Sequence, residues 1–231
     1  MIEAALDTSH GMSLAVSEDG HILASEYLAP KGRQNREALT PWLKEIFDRC
    51  EVSPNRIARW TVGLGPGSFT GIRMGLAFAK GVRLQSAAQI RGIPTSCGMA
   101  LQAAADLSPG ATVAVVHDAR RKQVIITTYR KTRRGLKESQ AAHIPSQDDL
   151  RAICMDSERL VTLQPAQVTP NLPETAGGKL LELGELRAEY LLKGPGNLFR
   201  TETEGDLSSQ VLPVYVRPAV FIKPNPHISK K

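Results

Sequence analysis

The chain has 231 residues, 42% hydrophobic and 23% charged, with a formal net charge of +6 and an isoelectric point near 9.4. That is an ordinary balance for a soluble globular protein, long enough for one large cored domain or two small ones. The positive excess permits an acidic partner such as RNA but does not require one. Cys50, Cys97 and Cys154 are odd in number and lack C-x-x-C spacing. They argue against a disulfide framework or a zinc site and for reduced thiols. No apolar run approaches the roughly 18 residues of a membrane span, and the start has no basic n-region. A soluble, cytoplasmic, unprocessed protein is therefore expected.

In chain order, Ile2 to Leu6 reads as a short strand ending in Asp7-Thr8-Ser9. Met12, Leu14 and Val16 alternate, and Glu18-Asp19-Gly20 turns the chain into a strand from Ile22 to Leu28. Ala38, Leu39, Trp42, Leu43, Ile46 and Phe47 recur at helical spacing, with Pro41 inside the pattern to delay or bend the helix. Strands are expected at Arg59–Gly63 and Ile90–Ile93, flanking a second helix, and a weaker helix from Cys97 to Leu107. The second half opens in the same way, with β-rich stretches from Ala111, Val124 and Leu136, the first ending at Asp118. Asp7 and Asp118 are thus echoes at an offset of 111 residues (118 − 7). The echo suggests two domains on one plan, residues 1–108 and 109–231, each opening with three hairpin-joined strands. Leu160–Leu163 reads as a further strand. Leu180, Leu183, Leu186, Tyr190 and Leu191 predict a helix from Thr175 to Lys193. The prolines of Val211–Pro218 allow only an edge strand or extended segment, and Phe221–Lys231 reads as a frayed tail.

Six of the 19 glycines crowd into Val62–Gly81. Gly65-Pro66-Gly67 is a turn, Ser68 stands at an N-cap position, and a helix follows. Strand, glycine turn and helix start can present amides to an anion, or simply make a tight connection. The P-loop pattern fails, because Gly71 is followed by Ile72 and Arg73 rather than lysine and a hydroxyl. The dinucleotide fingerprint fails too, lacking a glycine at Ser68 or Thr70. Gly71, Gly75 and Ala79 instead share one helix face, at a cost of about 1 kcal/mol per interior glycine. That stripe suits close approach of another helix, with Ile72, Met74, Phe78 and Val82 alongside. The approaching helix is either the Ala38–Phe47 segment or a partner's, and the sequence leaves this open.

In a duplicated ATPase plan the acids at Asp7 and Asp118 hold magnesium-bound water, and nearby glycine hairpins hold phosphate. Here Ala119-Arg120-Arg121-Lys122-Gln123 follows Asp118 without a glycine, and Asp7 has only Gly11. Asp118 reads better as a turn acid pairing with Arg120 or Arg121. The five histidines have no metal-site spacing, and no G-x-S-x-G elbow surrounds a serine. Arg130-Lys131-Thr132-Arg133-Arg134 reads as a solvated hairpin tip, with RNA contact as the lesser alternative.

Gly65-Pro66-Gly67-Ser68-Phe69-Thr70-Gly71-Ile72-Arg73-Met74-Gly75, continuing through Ala79-Lys80-Gly81, resembles the signature of the TsaB (YeaZ) family. Leu6-Asp7-Thr8-Ser9, Asp118-Ala119-Arg120-Arg121 and Pro213-Val214-Tyr215-Val216-Arg217-Pro218 resemble it in the same order. Gln34-Asn35 departs from the His-Ser pair common in that family. The resemblance implies a two-domain actin-like α/β fold (sugar-kinase/Hsp70-type, ASKHA), each domain a mixed sheet flanked by helices. It implies a non-catalytic subunit in the synthesis of tRNA threonylcarbamoyladenosine, paralogous to the catalytic subunit TsaD but without ATP or metal apparatus of its own. ATP and metal are then expected on the partner, with the ATPase TsaE joining the complex and tRNA contacted weakly or indirectly. Carried over, the docking helices are Asn35–Cys50, with Leu39, Trp42, Leu43 and Ile46, and Ser68–Leu84, with Gly71, Ile72, Met74, Gly75, Phe78, Ala79 and Val82. A homodimer through the same helices is the expectation when the partner is absent. Asp7, Ser9 and Asp118 would mark the remnant of a nucleotide site. The alternative is an ATP-dependent enzyme of the sugar-kinase type that uses Asp7 and Asp118; a peptidase is unsupported for want of a metal motif or triad.

Overall fold

A computed structural model describes residues 1–30, 35–201 and 211–216. Strands β1 (Ile2–Asp7), β2 (Met12–Glu18) and β3 (His21–Leu28) are joined by hairpins. Helix α1 (Asn35–Arg49), strand β4 (Arg59–Gly63), helix α2 (Phe69–Arg83), strand β5 (Gln89–Ile93) and helix α3 (Thr95–Ala103) follow. The second series runs β6 (Thr112–Asp118), β7 (Val124–Thr132), β8 (Gly135–His143), α4 (Gln147–Asp156), β9 (Arg159–Thr162), α5 (Pro165–Val168) and β10 (Leu180–Glu182). Helix α6 (Glu189–Leu192) and strand β11 (Arg200–Thr201) complete the described elements.

One sheet has the order β11-β5-β4-β1-β2-β3 and the other β10-β9-β6-β7-β8. In each, the first strand pairs antiparallel with the second and parallel with the fourth. The echo between Asp7 and Asp118 therefore corresponds to a repeated topology, the actin-like plan. Layers alternate in register with the strands. Ala4, Leu6, Leu14 and Val16 face a core under α1 and α2, whereas Ala5 and Ala15 face a core built with α3, α6 and the second sheet. Burial on both faces explains why β1 reads as a continuous apolar run. A third core lies beneath α4 and α5.

Trp60 on β4 anchors the first core, fully buried and edge-on to Phe47 of α1 and Phe78 of α2. Pro41 does not break α1, because it lies on the exposed side while Leu39, Leu43, Ile46 and Phe47 hold the helix down.

One expectation needs correction, and one element was missed. The helix predicted over Thr175–Lys193 is absent. Gly178 takes φ +74°, Leu180 pairs with Leu160 in a parallel ladder, and only Glu189–Leu192 is α-helical. The leucines kept their burial but divided it between different elements. Helix α4 was not foreseen, although Ser146 caps it by accepting from the Asp149 amide and Leu150 and Cys154 bury one face. The two halves are also linked by the chain's course. After β10 it returns to the first sheet, where β11 pairs with β5 and Val211 fills the space over Gly92. Arg217–Pro218 and the segment Phe221–Lys231 lie outside the described residues, as does Gln34.

The small-residue stripe has an intramolecular cause. A Cβ on Gly71 would stand 1.9 Å from the Thr8 carbonyl oxygen, and one on Gly75 would stand 2.5 Å from Thr8 Oγ1. Thr8 Oγ1 also donates to the Gly71 carbonyl at 2.6 Å. The glycines let α2 close onto the end of β1, where Thr8, not α1, meets Gly71 and Gly75. Gly71→Ala should lower unfolding free energy by about 2–4 kcal/mol through backbone overlap. Gly81→Ala, with nothing within 4 Å, should be neutral or raise it by up to about 1 kcal/mol. Urea titration of both variants checks the pair, and equal effects would refute the packing argument.

Candidate functional site

The ends of β1 and β6 meet across a cleft of about 920 Å³, lined by Thr8–Gly11, Pro66–Gly71, Asp118–Arg120, Gln164, Gln167 and Val214–Val216. Asp7 lies beneath it and is 3% exposed. Its Oδ1 accepts from the Ser9 amide at 2.8 Å and Ser9 Oγ at 2.6 Å, and its Oδ2 accepts from Thr95 Oγ1 at 2.5 Å. Thr95 Oγ1 in turn accepts from the Gly65 amide at 2.8 Å. Gly63 is required here, since a Cβ would meet Asp7 Oδ2 at 1.8 Å. The carboxylate is thus spent on joining β1, the hairpin, the glycine turn and the first residue of α3, where the helix dipole also favours it.

The glycine turn is closed in the same way. The Ser68 amide donates to the Ser9 carbonyl at 2.9 Å, and Ser68 Oγ accepts from the Gly71 amide at 3.2 Å, as its N-cap position predicts. The Ile72 amide is held by the Ser68 carbonyl. These donors serve the fold, not a phosphate.

Across the cleft, Asp118 Oδ1 accepts from the Arg120 amide at 2.8 Å, and Oδ2 lies 3.4 Å from Arg120 Nε. This matches the reading of Asp118 as a turn acid. The turn achieves left-handed geometry without glycine: Arg120, Arg121 and Lys122 have φ of 64°, 53° and 59°. Each such residue costs on the order of 1–3 kcal/mol. The three proposed nucleotide-site residues are therefore only partly brought together. Ser9 and Asp118 reach the cleft, while Asp7 is turned away beneath it.

Sequence reasoning missed the histidine pair at the cleft floor. His10 of the first hairpin stacks on His117 of β6 with centroids 5.2 Å apart and planes 28° from parallel. His10 Nδ1 lies 2.9 Å from Ser9 Oγ. Because Ser9 Oγ donates to Asp7, that nitrogen must carry the proton. His10 Nε2 and both His117 nitrogens are buried without a hydrogen-bond partner among the described residues. Burial holds the His10 pKa below 6.5 against the opposing pulls of Asp7 and the nearby Gln164 side chain, which lies short of a well-formed hydrogen bond to Nε2; burial and the neighbouring His10 push His117 well below it. Residues from opposite halves gave no sequence signal of their contact.

The docking residues carried over from the resemblance divide by exposure. Leu39, Leu43, Ile46, Gly71, Ile72, Gly75 and Ala79 are buried within the chain; Trp42, Met74, Phe78 and Val82 are half-buried, and Leu84 beside them is 89% exposed. No helix among the described residues is long and apolar enough to cross a membrane.

The family model for TsaD, tRNA N6-adenosine threonylcarbamoyltransferase, matches residues 22–155. The chain is 28% identical to the tRNA threonylcarbamoyladenosine biosynthesis protein TsaB of Escherichia coli, over 96% of this chain and 97% of that one. It is 32% identical to the TsaB of Haemophilus influenzae over 52% of this chain and 50% of that one. A solved structure from Pseudomonas aeruginosa, described as an uncharacterized protein with similarity to peptidase YeaZ, superposes with a TM-score of 0.71. It covers 94% of this chain and 99% of that one at 22% identity, a likeness of fold.

The neutral histidine pair gives stability a definite pH dependence. With folded-state pKa values lowered, the unfolded chain binds protons that the folded chain refuses. The contribution is complete above about pH 6.5 and is lost as pH falls below it, by up to about 1.4 kcal/mol per pH unit per histidine. Denaturant melts between about pH 7.5 and pH 5.5 should show this loss, and His117→Asn should flatten it. An unchanged slope in that variant would contradict the assignment.

Proposed function

The chain belongs to the TsaB (YeaZ) family, and from that premise we propose that it is a non-catalytic subunit in the synthesis of tRNA threonylcarbamoyladenosine. In this reading it docks on a TsaD-like catalytic subunit, which supplies the ATP and metal chemistry, and a TsaE-like ATPase joins them. The observation that carries the non-catalytic role is the state of the acids. Asp7 accepts three internal hydrogen bonds and Asp118 is paired with Arg120. Neither is left to position metal-bound water, and the Gly65, Ser68 and Gly71 amides are taken up within the chain.

Docking is supported by the outer surface of α1 and α2, where Trp42, Met74, Phe78, Val82 and Leu84 present apolar area beside a groove of about 490 Å³ lined by Leu43, Phe47, Val52 and Phe78. Apolar patches of this kind mark interfaces. A bulky residue at Gly75 would collide with Thr8 before it met a partner, so surface positions are the better probes. Val82→Glu combined with Leu84→Glu places charge on the surface itself. Co-purification and calorimetric titration with the TsaD-like subunit should show affinity reduced at least about tenfold, as for loss of interface anchors. tRNA modification by the reconstituted complex should fall in parallel. Undiminished affinity would move the interface elsewhere.

The competing reading, a sugar-kinase-like ATPase, predicts heat on titrating the isolated chain with Mg-ATP. The consumed acids lead us to expect none at high micromolar nucleotide. Saturable binding with turnover would reverse the assignment.

A further inference from the structure

The cleft rim carries a cluster that neither the docking role nor the buried acids use. Phe69, the first residue of α2, is 42% exposed, and Tyr215 is 47% exposed. Their ring centroids lie 5.0 Å apart at 32°. The Arg73 guanidinium lies 3.7 Å from the Phe69 centroid, and Arg73 Nε donates to Tyr215 Oη at 3.1 Å. The two rings come from positions 146 residues apart (215 − 69) and are brought together by the fold. Val211 is fully buried, and the Val214 amide donates to the Leu64 carbonyl at 2.8 Å, fixing the segment that bears Tyr215. The cap at Ser68 fixes Phe69. Across the cleft Arg120 lines the wall, and the exposed Arg121 and Lys122 follow it in the same left-handed turn.

Two rings and a guanidinium plane facing a cationic rim match unpaired nucleic acid, in which bases stack on aromatics and phosphates seek arginine and lysine. An acidic peptide would use the cations but leave the rings idle. A duplex would keep its bases out of reach of the rings. We propose that Phe69, Arg73 and Tyr215 form a stacking platform for a base of single-stranded RNA, whose phosphates run along Arg120, Arg121 and Lys122. The proposal rests on the reading that the chain serves tRNA modification, and adds that this subunit touches the RNA directly.

The test is fluorescence anisotropy of the whole chain with a labelled single-stranded RNA and its matching duplex, over a range of salt. The single strand should bind more tightly. Tyr215→Ala should weaken it by about fivefold or more, the low end of one base–aromatic stack, with little change in salt dependence. Tyr215→Phe should retain binding. Arg120→Ala with Arg121→Ala should reduce the slope of log K against log salt by about 1.4, for two phosphates. Phe69→Ala, on a different element, provides a second reading if either Tyr215 variant melts early. Equal affinity of the alanine variants and the unaltered chain, equal affinity for duplex and single strand, or no binding at low salt would each overturn the platform. Reconstituted tRNA modification is measured in parallel. If the unaltered chain supports modification while any of those three results holds, the platform fails and the subunit role stands. If it does not support modification, the subunit role fails.

Discussion

A buried carboxylate fixes the centre of this molecule. Asp7 is removed from water, which is costly for an ion unless its lone pairs are taken up. Hydrogen bonds to a charged acceptor contribute roughly 1.5–3 kcal/mol each, and here the Ser9 amide, Ser9 Oγ and Thr95 Oγ1 all converge on it. Those donors belong to the hairpin after β1 and to the start of α3, and Thr95 passes the connection to Gly65. Four segments are thereby set relative to one another. The close approach of Gly63 follows, because the carboxylate occupies the space a side chain would need.

The same compactness determines what the glycine-rich stretch does. Thr8 is held between Asp7 and Ser9, and α2 must pass against its backbone and hydroxyl. Gly71 and Gly75 make that approach feasible. Met74, Phe78 and Val82 of α2 are then left half-buried, away from Thr8. The glycine-rich stretch is here a structural joint between β1 and α2.

At the cleft floor, His10 and His117 join the halves through stacked rings instead of an ion pair. Burial keeps both neutral, so the contact between the halves carries no net charge while the rim above carries several cations.

The sequence by itself determined the two hairpin-led sheets, the Ser68 cap and the failure of the phosphate-loop patterns. These depend on local periodicity, turn chemistry and residue spacing, all of which operate over a few residues. It also placed the family, through an unbroken motif from Gly65 to Gly75. The tertiary structure alone decided what the small residues face, since Thr8 lies 63 residues from Gly71 and no local pattern marks that contact. It likewise decided the His10–His117 stack, the Phe69–Tyr215 pair and the return of Val211 to the first sheet. The leucines after Thr175 mark the limit most clearly. Their spacing fits a helix, but Gly178 and the parallel ladder with β9 distribute them among a strand, an irregular stretch and a short helical turn. Burial was encoded locally, whereas the surface on which each leucine is buried was a property of the assembled chain.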